Sequence, residues 1–530
     1  MPIDVSCGRH AGLLVPLFSI PSTRSWGIGE ITDIPLLASW LRDAGLDLLQ
    51  VLPINEMAPG QKSPYSAITA MAIDPIFISL SAVPEFEASG GEQSMDAEER
   101  ATLDRVRAAS RVQHDAVRHL KNRALRRAFD RFMEEGHGAR SAALDLYVAE
   151  QRWWLDDYAL FRTLHARHDD QWWRDWPDDL QRRDEAAMRR VREEMAREIR
   201  YHQYVQWLAD RQWHQARAQA GVALFGDLPF MVDLDSADVW AHQDLFDLDA
   251  TVGVPPDAFS ETGQDWGLPV YRWDEMAARD DLWLRERARR SAALYDGYRV
   301  DHLVGFYRTY VIPRDGGKRR FRPEGEAAQT AQGERVLAVF GGEGSRIIAE
   351  DLGTVPDFVR ASLARLGVPG YKVFRWEREW KEPGKPFRAP AAYPPASVAT
   401  SGTHDTDPMA IWWETAPEEE RVEVARLSAV QSRVGDTDLA DAPFTPDLRD
   451  ALLEVLFASG SDFLLLPIQD VFGWRDRINV PATVTDENWT YRLPWPVEKL
   501  RDQPEAEERA RRLARWASKY QRGAVAHGEG

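Results

Sequence analysis

The sequence predicts an α/β fold, a (β/α)8 TIM barrel with a large helical insertion after strand 2 and an irregular insertion after strand 3. Three observations carry that expectation: eight short apolar runs, helical patterning in most gaps between them, and carboxylates where several runs end. Short apolar runs closed by polar, Gly or Pro residues mark strands buried in a parallel sheet. Eight alternations of strand with helix suit a sheet closed on itself.

The runs fall at 13–18, 47–52, 222–227, 297–301, 346–350, 371–374, 397–401 and 462–466. Helical patterning precedes the second run at 34–44, the fourth at 281–294 and the sixth at 356–366. Residues 56–221 are too many for one crossover. They are highly charged, with helical patterning over 96–133, 141–168 and 180–218, and read as a mostly helical insertion packed on the barrel. Residues 229–296 read as a loop-rich insertion, whose Gly/Pro-rich stretch 253–269 has little periodicity and suits an active-site lid. All of 1–530 is read as one catalytic barrel, with an amphipathic helix after Ala506.

Composition narrows the function. Apolar residues make up 44% of the chain, enough for a large core. The balance of 85 acidic against 66 basic residues gives a net charge of −19. Such a surface repels phosphate backbones and anionic lipid, so neither nucleic acid nor membrane is an expected partner, and a neutral substrate is compatible. The single cysteine, Cys7, allows no intrachain disulfide and no cysteine cluster for a metal. The apolar run 11–20 has Asp4 ahead of it and Pro16 inside it, and reads as a strand rather than a signal segment. No run approaches the roughly 20 apolar residues of a membrane helix. The expectation is a cytoplasmic protein, monomer or homodimer. Tryptophan stands out at 21 copies. Most suit core filling, and some suit flat platforms for the apolar faces of sugars.

Catalytic groups of barrel enzymes sit where the strands end. Arg299, Asp301 and His302 close the fourth run, Glu350 and Asp351 the fifth, and Thr403, His404 and Asp405 follow the seventh. A strand-end acid alone is more often a cap or an ion-pair partner. Three acids from separate strands around one mouth repel each other, and function is the natural reason to assemble them. Retaining glycosyl transfer wants this set: a carboxylate to attack the anomeric carbon and a carboxylic acid to protonate the leaving oxygen. Asp301 suits the nucleophile, kept ionised by Arg299 on the same strand face, and Glu350 suits the acid, its proton held by the charge of Asp301. Asp405 suits sugar hydroxyls. Strand alternation by itself leaves Glu350 and Asp351 as alternatives for the acid.

Motifs along nearly the whole chain add a resemblance. They are AGLLVPLFSIPS from Ala11, WGIGE from Trp26, LQVLPIN from Leu49, KSPYS from Lys62, GDLPFMV from Gly226 and DSADVW from Asp235, followed by GVPPDAFSETGQDWGLPVY from Gly253, RVDH, AEDLG and SGTHD. In this content and order the chain resembles glycoside hydrolase family 77, the amylomaltases or 4-α-glucanotransferases. The resemblance implies Asp301 as nucleophile, Glu350 as acid/base and Asp405 as transition-state stabiliser. It also implies substrate contacts from Arg299 and His404, stacking of Tyr65 beneath the reacting sugar, and support from Asp227. Asp257, Gln264 and Trp266 would lie in a mobile loop lining acceptor positions. The substrates implied are a maltooligosaccharide or α-glucan donor and acceptor, with no cofactor and no metal. The sequence departs from the family pattern at Leu303, Val304 and Gly305, at Asp265, and at Ala482, where a Gly is usual.

The expected activity is transfer of a 1,4-α-glucan segment to the 4-hydroxyl of glucose or another glucan through a glycosyl-Asp301 intermediate. An α-glucan hydrolase of the α-amylase type is the alternative, since the two differ only in what resolves the intermediate. A non-catalytic glycan-binding barrel is disfavoured by the intact acids. A metal-dependent hydrolase is disfavoured because no His-x-His pair occurs and the first strand offers no ligand.

Overall fold

The computed structural model describes residues 8–136, 138–256, 263–434, 439 and 441–523. The described strands are β1 (His10–Leu14), β2 (Leu48–Gln50), β3 (Ala223–Leu228), β4 (Phe246–Val254), β5 (Gln264–Tyr271) and β6 (Gly297–Val300), then β7 (Thr309–Pro313), β8 (Arg320–Arg322), β9 (Arg346–Ala349), β10 (Gly370–Val373), β11 (Ser397–Thr400) and β12 (Phe463–Pro467). Eight of them close a barrel in the order β1, β2, β3, β6, β9, β10, β11, β12. All eight pairings are parallel, and β1 closes the ring against β12 with His10 opposite Phe463. The (β/α)8 expectation is met.

Alternation along each strand separates two cores. Leu48, Ala223, Phe225, Ile348, Tyr371, Val373, Val398, Phe463 and Leu465 pack together inside the barrel. Their neighbours in sequence, such as Leu49, Leu224, Ala349 and Leu464, face the surrounding helices. Successive strand side chains point to opposite faces, so the inward file of β9 runs from Ile348 to Glu350. On β6 it runs through Gly297, Arg299 and Asp301, because a Cβ on Gly297 would meet the ring of Phe225.

Three expectations on local structure change. The first run is a strand only over His10–Leu14, and Leu17–Ser19 forms a 3-10 turn. Pro16 has no N–H for a ladder, and its carbonyl instead accepts from the Ser19 backbone N–H at 3.0 Å and from its hydroxyl at 2.7 Å. Patterning over 96–133 resolves into two helices, Ala97–Ala108 and His114–Glu134. The third change concerns 253–269, which is not devoid of regular structure. β4 and β5 pair antiparallel there, within a second sheet of order β5-β4-β7-β8. Register shifts between Asp247 and Thr251, and between Val252 and Gly253, break the two-residue period and hide the strands from a reading by alternation.

Between β2 and β3, the long helices Ala139–Arg167 and Ala196–Ala220 lead the helical insertion. It is tied to the chain leading out of β2. Buried Lys121 donates to the carbonyls of Ile76 and Ile78 at 2.7 and 2.8 Å, and Arg118 grips both oxygens of Asp74. Among the described residues no helix is long and apolar enough to cross a membrane.

The inward file gives a packing test. A Cβ at residue 297 would lie 2.5 Å from Phe225 Cζ and 2.7 Å from the Arg346 carbonyl oxygen. Gly297→Ala is expected to cost about 1–3 kcal/mol, the usual scale for overpacking, read as a lowered thermal midpoint with the far-UV spectrum unchanged.

Candidate active site

The third and fourth barrel strands set the base of the site. Their register places Asp227 of β3 opposite Arg299 of β6. Arg299 Nη1 donates to both Asp227 oxygens at 2.7 and 2.8 Å, and its Nη2 lies 2.7 Å from Asp301 Oδ1. One guanidinium therefore spans a fully buried carboxylate and one that is 31% exposed at the mouth. Burial opposes the charge on Arg299, but Asp227 and Asp301 outweigh it and hold the guanidinium protonated, above its ordinary range.

Tyr65 and His404 extend this buried layer. The Tyr65 hydroxyl donates to Asp227 Oδ2 at 2.9 Å and lies 3.2 Å from His404 Nε2. The two rings stack, with centroids 5.4 Å apart, and Trp489 lies against both. Asp405, 41% exposed, carries Oδ2 at 3.2 Å from the same His404 nitrogen. Its Oδ1 accepts from Asn479 Nδ2 at 2.6 Å. Burial would raise the Asp405 pKa, yet His404 and Asn479 together depress it below the usual carboxylate range. Asp405 stays an anion.

Glu350 follows β9 on the inward file. Its Oε2 accepts from the His302 N–H at 2.8 Å and its Oε1 from the Leu352 N–H at 2.9 Å. His302 adopts φ +43°, in the left-handed region that L-residues seldom visit, as the chain turns sharply after Asp301. The Glu350 pKa is pushed up to about 7. Desolvation is the leading cause; Arg299 opposes it and the charge of Asp301 adds to it. The charge of Asp301, the cause legible in the sequence, is thus secondary to burial. The neighbouring Asp351 is committed elsewhere, accepting from the Tyr371 N–H at 2.8 Å and from Arg360 Nη1 at 3.0 Å. With Ile348 inside the barrel, Glu350 rather than Asp351 continues the inward file.

Trp266 and Gln264 do not sit in an irregular loop. They begin β5 on the same strand face, with Trp266 Nε1 donating to Gln264 Oε1 at 3.2 Å. The Trp266 ring stands edge-on to His302, centroids 4.9 Å apart, and Phe230 completes the cluster at 5.2 Å from His302. These residues join the site through the neighbour of Asp301. Asp257 lies outside the described residues. Sequence reasoning missed Asn479, Trp489, Phe230 and Arg477, which donates to the Asp405 carbonyl at 2.9 Å. They carry no strand-end signal, although Asn479 lies three residues from the noted departure at Ala482. Among the described residues no group of three or more His, Cys, Asp or Glu side chains could hold a metal ion.

The class this defines is a closed (β/α)8 barrel whose mouth gathers three part-exposed carboxylates over Asp227, Arg299, Tyr65 and His404. The sequence model of glycoside hydrolase family 77, described as 4-alpha-glucanotransferase, matches residues 15–498, and the chain belongs to that family. It is 33% identical to a 4-alpha-glucanotransferase of Thermus thermophilus over 531 aligned residues, covering 94% of this chain and 99% of that one. It is 31% identical to one of Chlamydia pneumoniae, covering 92% of each. Among solved structures, an amylomaltase from Streptococcus agalactiae in complex with acarbose superposes with a TM-score of 0.80 at 25% identity, covering 97% of this chain and all of that one. The resemblance drawn from the motifs is borne out.

The departure at residue 482 has a structural consequence. Ala482 holds φ +58° in the turn before Thr483, where a Cβ costs about 1–2 kcal/mol relative to the right-handed region. Ala482→Gly is expected to relieve most of that strain and stabilise the protein by about 1 kcal/mol. A raised thermal midpoint would show it; an unchanged or lowered one would exclude strain at this turn.

Proposed function

We propose that the protein is a 4-α-glucanotransferase that moves a segment of a 1,4-α-glucan to the 4-hydroxyl of glucose or of another 1,4-α-glucan. The observation that carries this reading is the contrast between Asp301, paired to Arg299 at 2.7 Å, and Glu350, whose pKa is pushed up to about 7. One carboxylate is gripped by a guanidinium and the other keeps a proton near neutrality, which suits the nucleophile and acid of retaining glycosyl transfer. Membership of family 77 supports the same assignment.

In the first step an Asp301 oxygen forms a bond to the anomeric carbon as the bond from that carbon to the leaving 4-oxygen breaks. Glu350 gives its proton to that oxygen. Esterified Asp301 no longer carries charge, so the Glu350 carboxylate becomes a weaker base than in the free enzyme but one still able to act. In the second step it takes the proton of the acceptor 4-hydroxyl while the acceptor oxygen bonds the anomeric carbon and the bond to Asp301 breaks. Asp405 and His404 bind hydroxyls of the distorted sugar, Arg299 holds Asp301, and Asp227 fixes Arg299. Tyr65 stacks beneath the ring. Trp266 and Gln264 border the acceptor side, where shielding from water favours transfer over hydrolysis.

Incubation with maltotriose tests the reaction. Transfer yields glucose and a ladder of longer oligomers with the number of reducing ends unchanged, whereas a rise in reducing ends would assign hydrolysis instead. Asp301→Ala and Glu350→Gln should each lose at least about 10³ of kcat with folding intact, the scale of a missing nucleophile or acid. Near-native turnover in either variant would overturn its role.

The pH dependence follows from Glu350. A raised pKa keeps the acid protonated below about 7, and the proton is lost as pH rises through that value. kcat/KM for maltotriose should therefore fall on the alkaline side, approaching tenfold per pH unit once well above about 7. A profile flat to pH 9 would exclude Glu350 as the proton donor.

A further inference from the structure

We infer that the helical insertion is a frame that aims Tyr65, with Arg118 as its positioning residue; this rests on the proposed function, in which Tyr65 meets the reacting sugar. Tyr65 lies between β2 and β3, in a hairpin closed by two isolated antiparallel bridges, Asn55 with Ile73 and Met57 with Ala67. The Ala58 N–H adds one bond across it, to the Ser66 carbonyl at 2.9 Å. A two-stranded piece of this kind is marginal in water by itself. Yet its Tyr65 hydroxyl must sit 2.9 Å from Asp227 and 3.2 Å from His404.

Three helices of the insertion supply what the short ladder lacks. From Ala196–Ala220, fully buried Gln206 accepts from the Ile73 N–H at 3.0 Å and donates to the Ile73 carbonyl at 2.8 Å, as a neighbouring strand would. From Ala139–Arg167, the Tyr158 hydroxyl donates to Glu56, and Arg162 Nε lies 3.1 Å from the same carboxylate. From His114–Glu134, Arg118 Nη1 and Nη2 donate to the two oxygens of Asp74 at 2.9 and 2.8 Å.

The Arg118 contact reaches Tyr65 in few steps. Asp74 is fully buried, and its Oδ2 also accepts from the Met57 N–H at 3.0 Å. Met57 is bridged to Ala67, two residues past Tyr65. A guanidinium that meets both carboxylate oxygens fixes the group in orientation as well as in place. Met57, and through it the arm carrying Tyr65, is set by that fork. Its loss leaves a buried carboxylate short of its cation, and the hairpin shifts to rehydrate it. Small displacements of a group that orients the substrate are costly in rate.

A functional double-mutant cycle tests the link. Arg118→Lys, a point charge unable to grip both oxygens, should lower kcat/KM for maltotriose about tenfold in the parent and less than about twofold in a Tyr65→Ala background, because coupled residues are non-additive. A merely structural loss would be equal in both backgrounds; that result, or an unchanged kcat/KM in the parent, would overturn the frame. Gln206→Leu, which touches no ion pair, repeats the cycle with the same expectation should Arg118→Lys fail to fold. Fluorine NMR of protein labelled with fluorotyrosine reads the ring directly, the Tyr65 resonance being the one missing from Tyr65→Phe. It should move or broaden in Arg118→Lys or Gln206→Leu, and an unmoved resonance would also overturn the frame. Failure of the parent enzyme to disproportionate maltotriose, or full activity of Tyr65→Ala, would count against the proposed function instead, and the NMR would still decide the frame.

Discussion

A guanidinium removed from water must keep anions beside it, and the arrangement of the mouth follows from how Arg299 meets that need. The parallel register of β3 and β6 places Asp227 directly across from it, so one carboxylate is buried with it by the sheet itself. The other arm reaches Asp301. Removing either acid would leave a buried charge short of a partner, the costly half of any buried ion pair. The proposed nucleophile is therefore held by the same guanidinium that satisfies the barrel interior.

Glu350 sits under the opposite regime. Desolvation acts on it more strongly than any neighbouring charge, and its two hydrogen bonds come from neutral backbone N–H groups of His302 and Leu352. Those bonds favour the charged form, yet not enough to offset enclosure. The turn that delivers the His302 N–H bends through a left-handed residue, with the His302 ring braced by Phe230 and Trp266. Backbone strain, an aromatic brace and a carboxyl near neutrality thus meet at the His302–Glu350 contact. The second sheet has a place in this: β5 carries Trp266, so the insertion after β3 bears directly on the geometry around Glu350.

The remaining anion, Asp405, is governed by groups arriving from far along the chain. Asn479 and Trp489 come from beyond β12, and Tyr65 from the segment after β2. They converge because the barrel brings the C-terminal ends of its strands into one ring. The same convergence explains why Ala482 matters: its strained turn lies beside Asn479, in the segment that fixes Asp405.

Periodicity and residue chemistry in the sequence were enough for the eight barrel strands, the helical insertion and the acids at strand ends, because buried parallel strands are continuous apolar runs and catalytic groups cluster where they stop. The motifs located Tyr65, Asp227, Arg299 and His404. Other features were decided only in three dimensions. Pro16 ended β1 early through a local hydrogen bond, and bulged register concealed β4 and β5 from any alternation. The distinction between Glu350 and Asp351 needed the inward file of Ile348, and Asn479 and Trp489 needed the closed ring. Local propensity acts between neighbours in sequence, whereas which side of a strand faces water, and which distant loop completes a carboxylate's hydrogen bonds, is set by packing between segments hundreds of residues apart.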